Sequence, residues 1–167
     1  MRKKGHKNRE DLTGEHPLGD AGQMVLAGGF AATWAADTFF LEYLTFLNGY
    51  IPIAGRAPLA ALFLILSGYL AKKGLALVFG EKPEKPGVIR KSVFGVVRHP
   101  IYLGEILFYL GLLMISLSLA AVAVWIVTIA FLHHISKYEE KLLLARFGKD
   151  YEEYMRDVPM WLPRLRS

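Results

Sequence analysis

One apolar stretch, IYLGEILFYLGLLMISLSLAAVAVWIVTIAFLHHI at residues 101–135, decides the fold. A transmembrane helix needs roughly 20 consecutive apolar residues, so this stretch is too long for a single crossing. The small polar sequence SLS at residues 116–118 divides it near its middle. The stretch therefore predicts two transmembrane helices that form a tight hairpin.

Two further apolar segments precede this hairpin, at residues 23–47 and 57–79. Hydrophobic residues make up 53% of the 167-residue chain, and a soluble domain of this size is rarely so apolar. We therefore predict an all-α integral membrane protein with about four transmembrane helices within residues 23–135. Residues 1–22 form a polar N-terminal segment without a signal-peptide cleavage pattern, so we expect no removable leader.

The distribution of basic residues orients these helices. If the chain crosses four times, all but one of the 20 Lys and Arg residues lie on one face, the exception being Arg56. Basic residues concentrate on the cytoplasmic side, so both termini and the loop before Arg98 are predicted to be cytoplasmic. The net charge of +5 then fits anionic lipid headgroups as partners. The sequence lacks a basic face with interleaved aromatic residues, so nucleic acid is not expected as a partner.

Residues 136–167 are predicted to form cytoplasmic helices after the last crossing. From Tyr138 the residues follow a helical period with apolar and charged faces, which indicates an amphipathic helix at the membrane surface that ends at FGKD, residues 147–150. A second short helix is expected at residues 151–156. The sequence EKPEKPG at residues 81–87 is typical of a solvated linker.

Polar side chains are concentrated at the cytoplasmic end of the predicted hairpin. Arg98, His99 and Tyr102 lie at the start of its first helix, whereas Glu139 and Glu140 follow its second helix. A tight hairpin brings the two sets within reach of each other. Donors on one wall and carboxylates on the other suit a zwitterion such as an amino acid group. The alternative is that these residues only anchor headgroups and line a solvated helix face.

Three carboxylates lie within or beside the apolar segments. An ionised carboxylate in hydrocarbon costs roughly 2.5–3.5 kcal/mol on insertion scales, so such residues are often functional. Asp37 and Glu42 are expected at the outer interface. Glu105 lies close to the proposed pocket and is a candidate catalytic base toward an amine or acid acceptor.

Two adjacent histidines, His133 and His134, end the last apolar segment. Neighbouring residues on a helix point about 100° apart, so the pair does not suit a shared metal ion, and we predict no metal site. His134 is a further candidate catalytic residue, with headgroup contact as the alternative. Hydrolase and nucleotide-binding motifs are missing from the sequence, and Gly104 and Gly111 are expected to be close-packing points between helices.

Two motifs carry a resemblance to a known family. The sequence RHPIYLG at residues 98–104, followed by the hairpin and by EEKLLLARFGKDYEEYMRDVPMWLP at residues 139–163, resembles the carboxyl-terminal half of the isoprenylcysteine carboxyl methyltransferases and the related phospholipid methyltransferases. This resemblance covers residues 92–163. The opening NREDLTGEHPLGDAGQ, residues 8–23, is similar to the start of bacterial members, which implies a prokaryotic cytoplasmic membrane.

The resemblance implies an integral membrane methyltransferase that uses S-adenosylmethionine, releases S-adenosylhomocysteine and takes a lipid or lipophilic acceptor from the bilayer. The cofactor site is expected on the cytosolic side, beneath the end of the hairpin, and the C-terminal helices of residues 136–167 are expected to complete it. The cofactor-binding positions carried over from the family are His99, Pro100, Tyr102, Gly104, Glu139 and Glu140. Arg98 is expected to orient the motif or to contact the acceptor, and it completes the candidate catalytic set with Glu105 and His134.

Departures from the family pattern bear on the acceptor. Ser92 and Phe94 stand where members often have Gly and Tyr, and HHISKYEE at residues 133–140 lacks the arginine that prenylcysteine enzymes carry before the acidic pair. These differences favour a phospholipid amine over a prenylcysteine carboxylate. Two alternatives stay open: an NADPH-dependent membrane reductase of the sterol reductase type, which shares a similar RHP motif, and a small membrane protein without enzymatic activity.

Overall fold

The computed structural model describes residues 19–80 and 87–163. All regular structure within these ranges is helical, as predicted. The α-helices are α1 (Gly19–Ala36), α2 (Ile53–Phe79), α3 (Pro100–Ser116), α4 (Leu119–Phe147) and α5 (Lys149–Asp157). A π-helical turn (Asp37–Leu41) extends α1, and 3-10 turns occur at Phe46–Gly49 and Ser92–Gly95. Most of the predicted N-terminal segment, residues 1–22, and most of the linker at residues 81–87 lie outside the described ranges.

Three helices in the described part of the chain are long and apolar enough to cross a membrane. They are α1 with its π-helical extension (Gly19–Leu41), α2 and α4. The remaining predicted crossing corresponds to α3, which is apolar but has 17 residues. At the usual helical rise α3 spans about 25 Å, slightly less than the hydrocarbon core of a typical bilayer.

The predicted hairpin between α3 and α4 is confirmed. Only Leu117 and Ser118 connect the two helices. Leu117 ends α3 in a left-handed conformation with φ 46°, and the Ser118 hydroxyl accepts a hydrogen bond from the Ala121 backbone N–H at 3.2 Å. Serine is a preferred N-cap residue, so the SLS sequence supplies both the turn and the start of α4.

The expectation of a separate amphipathic helix after residue 135 is wrong. α4 continues without a break past residue 135 to Phe147, so the amphipathic segment is the last part of α4, and it ends at FGKD as predicted. The stretch between these positions contains no Pro or Gly, and leaving the membrane does not by itself interrupt backbone hydrogen bonding. Gly148, with φ 55°, then separates α4 from α5, which is the short helix expected at residues 151–156.

Two glycines allow α2 and α3 to pack closely. A Cβ atom at Gly104 would lie 3.2 Å from the Ser67 carbonyl oxygen, and one at Gly111 would lie 2.8 Å from a leucine side chain of α2. The expectation that these glycines are close-packing points is therefore confirmed. α1 instead packs against α4, and its Phe30 stacks on Tyr109 of α3 with ring centroids 4.3 Å apart. This arrangement leaves a groove over α3 between α1 and α2.

Buried polar contacts fix the end of the bundle that holds the α3–α4 turn. Asp37 is buried and accepts hydrogen bonds from the Leu44 backbone N–H at 3.1 Å and from the Ser118 hydroxyl. Arg56 is also buried and donates to the Met114 and Ile115 carbonyls at the end of α3. These contacts join the end of α1, the start of α2 and the hairpin turn, so the helices enter the opposite end of the bundle in a fixed arrangement.

Candidate functional site

The two predicted sets of polar residues meet at the end of the bundle opposite the α3–α4 turn. His99 directly precedes α3, Pro100 begins this helix and Tyr102 lies in its first turn, while Glu139 and Glu140 lie on α4. The Tyr102 hydroxyl donates a hydrogen bond to Glu139 Oε1 at 2.5 Å, and His99 Nε2 lies 3.3 Å from Glu140 Oε1. The predicted meeting of the two sets across the hairpin is confirmed.

The His99 imidazole is buried beside the Glu140 carboxylate. Burial lowers the pKa of His99, and this effect outweighs the neighbouring Glu140 carboxylate, which acts in the opposite direction. A neutral imidazole has one N–H donor and one acceptor nitrogen. With Nε2–H assigned toward Glu140, Nδ1 is the acceptor, and it lies 3.8 Å from Glu139 Oε2. Two acceptors at this separation form a place for an N–H donor such as an ammonium group.

Arg98 joins three parts of the chain. Its Nε donates to Glu140 Oε1 at 2.7 Å, and its Nη1 donates to the backbone carbonyls of Met155 and Val158. Its backbone N–H donates to the Pro159 carbonyl at 2.9 Å. Arg98 therefore holds the segment that follows α5 against the start of α3 and against α4. This geometry suits the first of its two expected roles, orientation of the motif.

A cavity of about 440 Å³, which we call the polar cavity, opens beside these residues and has a size typical of small-molecule sites. The lining residues with polar or charged side chains are Asp20, Gln23, Arg98, His99, Tyr102, Glu139, Tyr151 and Tyr154. Much of the remaining wall is apolar and comes from the ends of α2 and α4. The polar cavity thus suits a molecule that has a charged end and a flat or apolar body.

Sequence reasoning missed the contribution of α1 to the polar cavity, and it expected the C-terminal helices to complete the pocket without naming residues of α5. Asp20 and Gln23 enter it from the start of α1. From α5, Tyr154 donates its hydroxyl to the Phe94 carbonyl at 2.7 Å. Burial raises the pKa of Tyr151 and of Tyr154 above the ordinary tyrosine value, so both hydroxyls stay protonated. The available signal was an acid shortly before the first apolar segment and an amide at its first residue, and it carried no recognisable motif.

Several predicted site residues do not line the polar cavity. Glu140 is buried behind it, and Gly104 faces α2. Glu105 lines a second cavity, where it accepts a hydrogen bond from Tyr109 at 2.8 Å. His134 is exposed and lines neither cavity. Within residues 19–80 and 87–163, no group of three or more His, Cys, Asp or Glu side chains is arranged to hold a metal ion.

Comparison with known proteins gives the family. The sequence model of the phospholipid methyltransferases matches residues 58–150, more than half of the chain. The chain belongs to the phospholipid methyltransferase family. The matched residues include the RHP motif, the whole hairpin and the acidic pair on α4.

This phospholipid methyltransferase family member is also similar to curated proteins. It is 26% identical over 154 residues to protein-S-isoprenylcysteine O-methyltransferase of Schizosaccharomyces pombe. This match covers 84% of the chain and 62% of that protein. It is 27% identical over 112 residues to protein-S-isoprenylcysteine O-methyltransferase B of Arabidopsis thaliana, covering 61% of the chain and 57% of that protein. Over 73 residues it is 33% identical to methanethiol S-methyltransferase 2 of Bradyrhizobium diazoefficiens, and this match covers 44% of the chain and 27% of that protein. The chain thus spans less than two thirds of the length of each relative.

A solved structure shares the fold of this family member. The match is to the eukaryotic intramembrane Ras methyltransferase, an isoprenylcysteine carboxyl methyltransferase, with a TM-score of 0.63 and 22% sequence identity. It covers 86% of the chain and 52% of that protein. This likeness concerns the fold, and the apolar helices of the family member are those of an integral membrane protein.

Proposed function

We propose that the protein is an S-adenosylmethionine-dependent membrane methyltransferase that acts on a lipid or lipophilic acceptor. The observation that carries the proposal is the pair of acceptor atoms, His99 Nδ1 and Glu139 Oε2, at the polar cavity of a chain in this family. The cofactor joins an amino acid to an adenosyl group. The polar cavity, with charged side chains and an apolar wall, fits both parts.

The residues of the polar cavity fit S-adenosylmethionine in detail. Its ammonium group suits the space between His99 Nδ1 and Glu139 Oε2, which offers two acceptors and one negative charge. Its adenine ring suits the apolar wall from α2 and α4. We assign cofactor contact to His99 and Glu139. Glu140 is assigned a positioning role, because its oxygens already contact His99 and two basic side chains.

When bound, the cofactor supplies an electrophilic methyl group on a sulfonium ion. The residues of the chain hold and orient the reactants and exclude water from them. Tyr102 fixes the Glu139 carboxylate by its hydrogen bond, and Arg98 holds the segment after α5 in place beside the polar cavity. Binding and alignment therefore account for the contribution of these side chains, and no covalent intermediate is needed.

The acceptor is proposed to enter from the lipid through the groove between α1 and α2. This groove exists because α1 packs on α4 whereas α2 packs on α3. A second cavity of about 460 Å³, which we call the apolar cavity, lies in the groove. Ile101 lines both cavities, so they adjoin. A soluble cofactor and a membrane-dissolved acceptor thus have separate routes to one point.

We further propose the topology and the acceptor class that the sequence favours. Four crossings place both termini and the polar cavity on the cytoplasmic side of a prokaryotic membrane, where basic side chains meet anionic headgroups. Exposed His134 is then assigned to headgroup contact. The lack of an arginine just before Glu139 favours a phospholipid amine, although two of the relatives are named for isoprenylcysteine.

Calorimetric titration of the detergent-purified protein tests the cofactor. We expect S-adenosylhomocysteine to bind and NADPH not to bind. Glu139→Gln should weaken S-adenosylhomocysteine binding about tenfold, because it removes a charge-assisted hydrogen bond to the ammonium group. Glu153→Gln, on an exposed position of α5, is the matched control and should leave the affinity unchanged. Binding of NADPH without binding of S-adenosylhomocysteine would overturn the proposal in favour of a reductase.

Incubation with methyl-labelled S-adenosylmethionine and a total lipid extract identifies the acceptor class. We expect the label on the amino headgroup of a lipid, in a form that resists alkali. Label that alkali releases as methanol would show a carboxyl methyl ester and would overturn the choice of an amine.

A further inference from the structure

A carboxyl group lies in the apolar cavity. This cavity is formed by α1, α2 and α3, and its walls are mainly alanine, phenylalanine and other apolar side chains. Among the described residues that line it, Glu105 is the only acidic or basic one. Ionisable side chains at membrane depth are costly to bury, and they are retained mainly where a function needs them. Glu105 does not line the polar cavity, so cofactor binding there does not use it.

Glu105 is held in place but keeps capacity to bind. The Tyr109 hydroxyl, one turn further along α3, donates a hydrogen bond to Glu105 Oε1 at 2.8 Å. Tyr109 is itself fixed by its stacking on Phe30. Glu105 has no ion pair and no second hydrogen bond among the residues that the structure describes. A carboxylate accepts up to about four hydrogen bonds, so Glu105 retains room for a donor in the apolar cavity.

The apolar cavity continues the polar cavity along the same helix faces. On α1, Gln23 lines the polar cavity and Ala27 lines the apolar cavity. On α2, Leu75 lines the polar cavity and Ala71 lines the apolar cavity. Residues four apart share one face of a helix, so each helix presents one continuous surface to both cavities. Ile101 lines both cavities, so they adjoin at this residue. A molecule in the apolar cavity is therefore a neighbour of a molecule in the polar cavity.

We propose that the apolar cavity binds the methyl acceptor and that Glu105 selects a lipophilic amine. The inference rests on the proposed function and specifies its acceptor site. The Glu105 carboxylate accepts a hydrogen bond from the amino group, Tyr109 orients that carboxylate, and the apolar walls hold the hydrocarbon chain. An acceptor carboxylate would place two negative charges together where little water screens them, so it is disfavoured.

The proton balance of an amine acceptor involves Glu105 as well. An acceptor that arrives as an ammonium ion passes one proton to the Glu105 carboxylate, which leaves a neutral amine and a carboxylic acid. The amine nitrogen then forms a bond to the methyl carbon as the carbon–sulfur bond breaks, and that bonding pair stays on sulfur in the neutral thioether. The positive charge of the sulfonium ends on the methylated nitrogen.

Photo-crosslinking tests the acceptor site without requiring turnover. A dodecylamine probe with a diazirine in its chain is irradiated with the full-length protein in lipid nanodiscs, and labelled peptides are located by mass spectrometry. We expect label at residues 27–31 of α1 and 67–71 of α2, with competition by unlabelled dodecylamine and none by dodecanoate. Glu105→Gln should reduce this labelling about tenfold at low probe concentration, because the charged acceptor is lost. Retained S-adenosylhomocysteine binding shows that the variant is folded.

Steric variants give a matched comparison on one helix. Ala71→Phe fills the apolar cavity and should abolish the labelling, whereas Ala61→Phe lies at an exposed position of α2 outside the cavity and should not. Tyr109→Phe should weaken labelling less than Glu105→Gln, because it removes only the orienting hydrogen bond. Labelling that is unchanged in Glu105→Gln, or that dodecanoate competes as well as dodecylamine, would overturn the proposal.

Failure of this proposal is distinguishable from failure of the proposed function. If S-adenosylhomocysteine binds and the apolar cavity is not labelled, the cofactor assignment stands and the acceptor site is wrong. If the labelling occurs as expected and S-adenosylhomocysteine does not bind, both are overturned, because an amine site without the cofactor serves another activity.

Discussion

Removal of one partner of the Arg98–Glu140 ion pair tests how the site is held together. The two side chains are 8% and 4% exposed, and Nε lies 2.7 Å from Oε1. Loss of one partner leaves the other buried charge with only its weaker remaining contacts, and breaking a buried pair typically costs about 3–5 kcal/mol. Arg98 also satisfies the carbonyls of Met155 and Val158. We therefore expect Arg98→Met to lower the free energy of unfolding by about 4–5 kcal/mol, and Glu140→Leu to lower it by about 3 kcal/mol.

A double variant separates pairing from burial. Arg98→Met combined with Glu140→Leu removes both charges and fills their volume with apolar atoms. Replacement of a complete buried pair by apolar residues is often neutral, so the double variant should be more stable than Arg98→Met by about 1–2 kcal/mol. It should stay less stable than the wild type, because the two carbonyls after α5 have lost their donor. Arg90→Met, which breaks an exposed pair with Asp150, is the control and should cost less than about 1 kcal/mol.

Two measurements check these values. Titration with sodium dodecyl sulfate in mixed micelles gives the free energy of unfolding, and limited trypsin digestion at Arg156 reports the release of the segment after α5. We expect Arg156 to be cut faster in Arg98→Met under conditions where the helices are still folded. The buried pair does not secure this segment if Arg98→Met lowers the free energy of unfolding by less than about 1 kcal/mol. The same holds if the loss in the double variant equals the sum of the losses in the two single variants.

The remaining predictions concern packing and pH. Gly104→Leu should lower the free energy of unfolding by about 1–3 kcal/mol, because the new side chain meets the α2 backbone. Gly68→Ala on α2 has no atom within 4 Å of the added Cβ and should be neutral or slightly stabilising, and an equal loss in both variants would contradict the packing argument. Since burial lowers the pKa of His99, protonation favours the unfolded chain, so stability should be full above the ordinary pKa of about 6.5 and should fall as the pH drops below it. His99→Gln should remove this part of the pH dependence in SDS titrations between pH 5 and pH 8, and superimposable pH profiles would show that the imidazole is not held neutral.

The features that the sequence predicts correctly depend on local patterns. The SLS sequence interrupts an apolar run and offers a serine cap, so the position of the α3–α4 turn follows from residues 116–118 alone. Once that turn is placed, the antiparallel helices bring Tyr102 opposite Glu139 without further information. Gly104 and Gly111 are likewise identifiable as packing points, because only a missing Cβ allows two helix backbones to approach.

The features that the sequence does not reveal depend on tertiary packing. Asp20 and Gln23 line the polar cavity because α1 packs on α4 and stacks Phe30 on α3, and nothing near Asp20 in the sequence encodes that contact. Glu105 was expected beside the pocket of His99 and Tyr102. It lies in the adjoining cavity because it is three residues after Tyr102, which places it almost one turn further along α3.

The acidic pair on α4 divides two tasks between adjacent residues. Glu139 and Glu140 point about 100° apart on one helix, so one of them can face the cavity while the other faces the core. Glu140 points inward, where Arg98, His99 and Lys137 surround it, whereas Glu139 lines the polar cavity beside His99 Nδ1. Loss of the Glu140 charge should therefore appear as a loss of folding stability, and loss of the Glu139 charge as a loss of cofactor affinity with stability retained. If both substitutions reduced affinity and stability in the same proportion, the two carboxylates would act as one unit, and the assignment of separate tasks would be wrong.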